Sequence, residues 1–283
     1  MFRIVKKEYI GESIVRMVID APKIAAKIKP GQFVIVLSDE KGERIPLTVA
    51  DFDHVKGNIT IICQTVGAST KRLALLNEGD FIKSVVGPLG RPTELEGIKR
   101  AAVIGGGVGC AIAYPQAKYL HNLGAKVDII AGFRSKDLII LESDMRTVSD
   151  ELIILTDDGS NGNRGLVTDG LRKKIEDGAL YDAVIAIGPP VMMKFVSMLT
   201  KEYSIKTIVS MNPIMIDGTG MCGGCRLTVG GETKFACIDG PDFDGHLVDF
   251  DELIRRNAMY KNEESQENTR FHTCNLDKIG GDV

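Results

Sequence analysis

The sequence predicts a β-barrel joined to an α/β unit: an antiparallel barrel first, a parallel sheet covered by helices second, and a C-terminal loop and hairpin last. Three observations predict it. Residues 1–97 break into short β-rich runs separated by Gly-, Pro- and Asp-containing turns. From Ala101 onward, continuous apolar strands alternate with amphipathic helical segments. After residue 211, three of the six cysteines crowd into one glycine-rich stretch. The expected organisation is therefore a barrel over 1–97, an α/β unit over 98–210, a cysteine-bearing module over 211–245, and a helix and tail over 246–283.

The barrel strands are FRIVKKEYI, SIVRMVID, FVIVLSD, IPLTVADF, NITIICQTV and FIKSVVG, each alternating or β-branched and each bounded by turn residues. In the second unit AAVIG, VDIIAGF, LIILTDD, AVIAIG and TIVSM read as buried parallel strands, with helices near 109–122, 164–177 and 191–203. Past the cysteines, Arg226–Val229, Gly230-Gly231 and Thr233–Cys237 read as a hairpin with a Gly-Gly turn. The end has one short helix and then a polar tail, expected to be mobile or docked on something else.

At 283 residues the chain has room for two cores, and 44% of it is apolar. The net charge of −3 and the dispersal of lysines and arginines among acids exclude a nucleic-acid partner. No apolar run spans a bilayer and the N-terminus has no signal-peptide pattern, so the expectation is a soluble cytoplasmic protein without a membrane partner. The cysteines suit a reducing compartment better than a disulfide framework. There is no HExxH, no Ser-His-Asp arrangement and no paired-carboxylate site, and the four histidines are scattered.

Three βα turns carry the first functional signal. Gly105, Gly106, Gly107 and Gly109 follow the first parallel strand and open a helix, so backbone there can approach a pyrophosphate and the helix N-terminus adds partial positive charge. Asp157, Asp158 and Gly159 follow LIILT, and Gly188, Pro189 and Met192 follow AVIAI, placing polar and glycine residues on the same sheet edge. Glycines at a βα turn also serve simple close packing. It is the three turns together that favour a nucleotide.

The second signal is the order Asp217, Cys222, Cys225, Cys237, which is plant-type [2Fe-2S] spacing with a carboxylate in the first position. Gly218, Gly220, Gly223 and Gly224 let the intervening backbone turn its N–H groups inward. Zinc and a thiol-disulfide switch are the competing readings. A zinc ribbon wants two CxxC knuckles and only one is present, while a redox CxxC should open a helix rather than sit in a glycine-rich loop.

Together these parts resemble the ferredoxin-NADP reductase superfamily, and more narrowly the electron-transfer subunits of dihydroorotate dehydrogenase and of the sulfide dehydrogenase or NADH-dependent ferredoxin:NADP oxidoreductase complexes. The resemblance runs from about residue 1 to 250. It implies FAD, a [2Fe-2S] cluster and NAD(H) as cofactors. Arg44, Ile45, Pro46, Leu47 and Thr48 match the family's flavin motif, in which the hydroxyl of Thr48 lies near the reactive edge of the flavin and the arginine neutralises phosphate. Ile62, Cys63 and Gln64 match the strand lining the flavin, with Cys63 as a small apolar filler. Gly67, Ser69 and Thr70 match a second phosphate-binding turn, and Gly87-Pro88-Leu89-Gly90 the exit from the barrel. There are two departures. Pro46-Leu47 stand where many relatives have a ring-stacking Tyr, and Asp217 stands where dihydroorotate dehydrogenase partners show Cys. Arg134-Ser135-Lys136 would suit a 2′-phosphate, Asp137 and Glu142 ribose hydroxyls; the resemblance favours NAD(H).

The function so implied is hydride exchange between NAD(H) and FAD and passage of single electrons through the cluster. The receiver would be a larger flavin and iron-sulfur subunit, with ferredoxin reached through it, as in a transhydrogenase-type and electron-bifurcating complex. Two alternatives stand beside it: the electron-transfer subunit of an NAD-dependent dihydroorotate dehydrogenase, and a zinc-stabilised nucleotide-binding module without catalysis.

Overall fold

A computed structural model describes residues 1–40 and 42–279, with side chains described to residue 270; Cys274, whose role the sequence leaves open, lies outside the described side chains. Seven strands form the first sheet: β1 (Phe2–Gly11), β2 (Ile14–Asp20), β3 (Phe33–Leu37), β4 (Ile45–Asp53), β5 (Asn58–Gln64), β6 (Phe81–Ile82) and β7 (Ser84–Leu89). Their order is β6-β1-β2-β5-β4-β3-β7 with antiparallel pairing throughout, a nearly closed barrel. Alternation sets which face is inside. In β2, Val15, Met17 and Ile19 are fully buried while Arg16 and Val18 face outward, and the inner set meets Val34, Val49, Ile59 and Ile61 in one core. Two short helices interrupt the barrel, α1 (Pro22–Ala25) and α2 (Ala68–Ala74).

The second sheet contains β8 (Arg100–Gly106), β9 (Lys126–Phe133), β10 (Glu151–Thr156), β11 (Ala183–Ile187) and β12 (Lys206–Ser210), separated by α3 (Cys110–Asn122), α4 (Glu142–Arg146), α5 (Val167–Glu176) and α6 (Pro190–Glu202). The order β10-β9-β8-β11-β12 is wholly parallel. Every residue of β11 is buried, as a strand covered on both faces requires. Chain order reverses at β8, which leaves a crevice beyond the carboxyl ends of β8 and β11.

The C-terminal segment adds the hairpin β13 (Arg226–Val229) and β14 (Glu232–Phe235), the turn of helix α7 (Ala236–Asp239), and β15 (Asp242–Asp244). Sequence patterning missed β15. It pairs antiparallel with β12 and so makes the cysteine segment the sixth strand of the sheet. The same segment packs inward: Cys225, Leu227, Ala236 and Cys237 share one core with Phe33 and Ile35 of the barrel and Met193 and Val196 of α6. On the other sheet face, Ile14, Ala50 and Ile62 of the barrel join the core under α3. Barrel, sheet and cysteine segment are thus fused by apolar contact.

Two helices close the chain, α8 (Phe250–Asn257) and α9 (Lys261–Ile279). The polar tail expected from the sequence is therefore helical. It lies against the barrel: Lys71 Nζ donates to Asn268 Oδ1 at 3.1 Å and Asn268 Nδ2 donates to the Val66 carbonyl at 2.8 Å. A helix polar on nearly all sides carries no apolar stripe for patterning to detect, so only the tertiary contact reveals its seat.

Candidate functional site

A cleft of about 1090 Å³ opens between the barrel and the carboxyl edge of the parallel sheet. The barrel contributes Thr48 and Gln64, and the sheet contributes Gly106, Gly107 and Gly109, then Asp157, then Gly188, Pro189 and Met192. Local sequence explains the tight turns. A Cβ on Gly109 would lie 2.4 Å from the Ile187 carbonyl oxygen and 2.8 Å from Gly188 Cα, so the turns after β8 and β11 touch backbone to backbone. Gly107, by contrast, has φ +55° and open space where a side chain would be, which exposes its backbone to the cleft at the entrance to α3. Gly105 is sealed beneath, against Cys110.

The remaining sheet residues divide. Asp157 faces the cleft. Asp158 instead folds onto its own turn, accepting from the Ser160 hydroxyl at 2.7 Å and the Ser160 amide at 2.9 Å, and these bonds hold its carboxyl below the ordinary carboxylate range. Gly159 adopts φ +76° within that turn. Arg134 reaches the cleft wall, and Arg172 and Glu202 form a 3.6 Å ion pair on it. Sequence reasoning missed Phe195 and Met198 of α6, which also line the cleft. The signal was present: Val191, Phe195, Met198 and Glu202 recur at helical spacing on one face.

On the barrel side, β4 pairs with β3 so that Thr48 sits opposite Phe33 and Pro46 opposite Ile35. Ile45, Pro46, Leu47 and Thr48 are half-buried, while Arg44 is exposed just before the strand. Ile62 is packed into the core under α3. Cys63 points into the barrel, where burial pushes its thiol up to about 12 and keeps it protonated. The turn ahead of α2 stands apart from the cleft. Thr70 Oγ1 accepts from the Gly67 amide at 3.2 Å and donates to the Gly67 carbonyl at 3.0 Å, and Ser69 Oγ donates to Glu43 Oε2 at 2.7 Å. That last bond places the residue beside Arg44 against the Gly67–Thr70 turn.

The cysteine loop is organised by its carboxylate. Asp217 Oδ1 accepts from the Thr219 amide at 2.7 Å and Oδ2 from the Cys222 amide at 2.8 Å, which lowers the Asp217 pKa, the Thr219 bond most. Gly218, Gly220 and Gly223 all have positive φ, and a side chain on Gly218 would strike Leu89 of β7 and Ile35 of β3, so the loop lies flat on the barrel. The hairpin brings Cys237 back beside Cys225: both are buried, their Sγ atoms are 3.2 Å apart as free thiols, and the Cys237 amide donates to Cys225 Sγ at 3.4 Å. Burial and the neighbouring sulfur push the Cys237 thiol up to about 12. Cys222 is exposed, with its sulfur accepting from the Gly224 amide at 3.4 Å. Cys225 and Cys237 are thus brought together and Asp217 is tied to Cys222 through the backbone. Among the described residues no three His, Cys, Asp or Glu side chains gather at metal-holding spacing. No helix among them is long and apolar enough to cross a membrane.

Comparison with known proteins places these features. Residues 212–249 match the iron-sulfur cluster binding domain of dihydroorotate dehydrogenase B. The chain is 46% identical over 268 residues to a dihydroorotate dehydrogenase B (NAD(+)) electron transfer subunit homolog of Thermotoga maritima, covering 95% of this chain and 94% of the relative. It is 52% identical over 289 residues to an uncharacterized protein in the adh 3′ region of Clostridium beijerinckii, covering 99% and 98%. Among solved structures, a chain of the NADH-dependent reduced ferredoxin-NADP oxidoreductase, described in the context of flavin-based electron bifurcation, superposes with a TM-score of 0.90 at 44% identity, covering 96% of this chain and 98% of that one.

Proposed function

The chain belongs to the family of dihydroorotate dehydrogenase B electron-transfer subunits and their homologues, and from that premise we propose that it passes electrons from NADH through FAD and a [2Fe-2S] cluster to a larger flavin and iron-sulfur partner in a ferredoxin:NADP(H)/NAD(H) transhydrogenase complex. That it is an oxidoreductase subunit of the FAD, NAD(H) and [2Fe-2S] type follows from the family. The partner and the transhydrogenase role are the further step. The observation that carries it is the near full-length likeness at 44% identity to the NADH-dependent ferredoxin-NADP oxidoreductase chain, joined to the carboxylate at position 217.

In this reading FAD supplies the conversion between hydride and single-electron chemistry, and the cluster supplies one-electron exit. The chain's own residues bind and orient. Thr48 and Gln64 offer small polar groups to the flavin from the barrel wall of the cleft. Ile45, Pro46 and Leu47 support that wall, and Ile62 and Cys63 fix it from within. Arg44 with Gly67, Ser69 and Thr70 would hold the FAD phosphates, a guanidinium and a turn of amides on one barrel edge. Gly106, Gly107 and Gly109 let the NAD(H) pyrophosphate meet backbone amides, with Gly105 packed beneath them against Cys110, and Gly188, Pro189 and Met192 close the opposite side. Asp157, assisted by the turn of Asp158 and Gly159, would accept from ribose hydroxyls. Apolar Phe195 and Met198 exclude water from the space between.

Asp217, Cys222, Cys225 and Cys237 are proposed as cluster ligands. Two buried free thiols side by side, with backbone amides already donating to sulfur, suit thiolate ligation. Carboxylate oxygen is a harder donor than thiolate. Asp217→Cys is therefore expected to keep the cluster with an altered EPR spectrum and midpoint potential, and Asp217→Ala to make it labile. Unchanged spectra and potentials in both variants would remove Asp217 from the ligand set.

A dihydroorotate dehydrogenase partner is the second reading, favoured by the match over residues 212–249. Anaerobic purification of the native complex separates the two: a copurifying flavin and [4Fe-4S] polypeptide supports the transhydrogenase, a dihydroorotate-oxidising flavin barrel the alternative. A colourless, zinc-bearing, iron-free protein would overturn both.

A further inference from the structure

The geometry points to Asp242 as a positioning residue that holds a proton: as a neutral acid hydrogen-bonded to the Gln116 carboxamide, it fastens the cysteine segment to the barrel and the sheet. Asp242 opens β15, five residues beyond Cys237, and sits where the three parts of the molecule meet. Thr93, in the connection leaving the barrel, donates its hydroxyl to Asp242 Oδ2. Gln116 Nε2, on fully buried α3 side-chain surface, donates to the same oxygen at 3.3 Å. Ser210, at the end of β12 and on the wall of the cleft, is its register partner. The fit is close, since a Cβ on Gly31 of the barrel would lie 2.9 Å from Oδ2.

Two acceptor atoms at this seam are left over. Asp242 Oδ1 and Gln116 Oε1 are buried and have no hydrogen-bond partner. Gln116 has already committed its amide nitrogen to Oδ2, and a carboxylate has no proton to give. A proton on Oδ1 turns it into a donor, and the acceptor the proposal assigns to it is the other orphan, Gln116 Oε1, on the carboxamide whose nitrogen already bonds Oδ2. The ionised form leaves both buried acceptor atoms orphaned, which is costly.

The surroundings supply no counter-charge. The groups facing Asp242 are the neutral Thr93, Gln116 and Ser210. The charged side chains on the same elements are engaged elsewhere or exposed: Lys118 of α3 with Asp51, Arg91 of the connection with Asp239, Asp244 of β15 near His246 at 3.9 Å, and Lys206 of β12 at the surface. Burial raises the Asp242 pKa from 3.8 to about 6, against the opposing bonds from Thr93, Ser210 and Gln116. The folded chain therefore binds a proton that the unfolded chain releases between those two values. The stabilisation is complete below the unfolded value and disappears as pH rises to the folded one.

The proposal goes beyond the electron-transfer reading, because the seam exists whatever the cofactors do. The test compares the wild-type holoprotein with D242N, D242A and Q116L by denaturant unfolding at several pH values and by infrared spectroscopy. Asn reproduces the neutral acid's donor and acceptor, so D242N is expected to fold and to lose the pH dependence. Between pH 3.8 and about 6, the wild-type unfolding constant should rise relative to D242N by up to about tenfold per pH unit, then level off. A protonated-carboxyl infrared band should be present in wild type below pH 6, absent in D242N, and lost as pH rises through about 6. Q116L should weaken the seam without removing the slope, and D242A should weaken it and remove the slope. A constant wild-type to D242N difference across pH, no carboxylic band assignable to Asp242, or failure of D242N to fold would each overturn the proposal.

Discussion

Cys237→Ser should yield a chain that retains FAD and its NADH-driven reduction but lacks iron and the [2Fe-2S] absorbance. The serine oxygen would replace a buried sulfur 3.2 Å from Cys225 Sγ in a pocket closed by Ala236 and Leu227. A hydroxyl is a poor ligand where thiolate is needed, and among the described side chains the pocket has no spare thiol to substitute, since Cys63 and Cys110 are buried in other cores. Loss of even an outer partner typically costs roughly 10–100-fold in metal affinity, so loss of a ligand should exceed that. Electron delivery to a one-electron acceptor should fall in step with iron content. Direct NADH reduction of the flavin should not, because none of the cysteines lines the cleft and the cysteine segment reaches it only at Met211 and Asn212. Iron content and spectrum equal to wild type in C237S would exclude Cys237 as a ligand.

The second large effect concerns Gly109. Its missing side chain lets the turn after β8 rest directly on the Ile187 carbonyl and Gly188, and backbone cannot step aside as a flexible side chain can. Gly109→Ala is expected to cost about 1–3 kcal/mol of stability by overpacking and to displace the turn proposed to face NAD(H). The KM for NADH should rise with little change in bound FAD. Gly107→Ala provides the contrast, because its surroundings are open and its penalty is only that of a left-handed backbone, about 1–2 kcal/mol. Urea unfolding midpoints and NADH titrations of flavin reduction check both. A Gly109→Ala chain as stable as wild type with an unchanged KM would show that the close approach is relaxed at no cost.

Much of the architecture was legible because it is local. The barrel strands announce themselves by alternation, as Val15, Met17 and Ile19 do in β2, and the parallel strands by unbroken apolar runs such as Ala183–Ile187. The glycines after β8 and β11 could be named from their position alone, since a strand turning into a helix at a phosphate or at another backbone wants no side chain in either case. What the sequence could not say is which reason applies at which glycine: Gly109 is required by Ile187 and Gly188, 78 and 79 residues further along, whereas Gly107 borders open space.

The same division runs through the functional residues. Spacing by itself determined that Asp217, Cys222, Cys225 and Cys237 form a candidate ligand set, because loop length along the chain limits which side chains can meet. Only the tertiary structure decided that Cys225 and Cys237 touch, that Asp217 braces the loop through backbone amides, that Phe195 and Met198 wall the cleft, and that Lys261–Ile279 forms a helix lying on the barrel. Asp242 shows the reason most plainly. In sequence it is one aspartate in an acidic stretch, exposed by default. In the fold, its burial and its lone unpartnered oxygen come from Gly31, Thr93, Gln116 and Ser210, and no local pattern records which distant elements will close over a side chain.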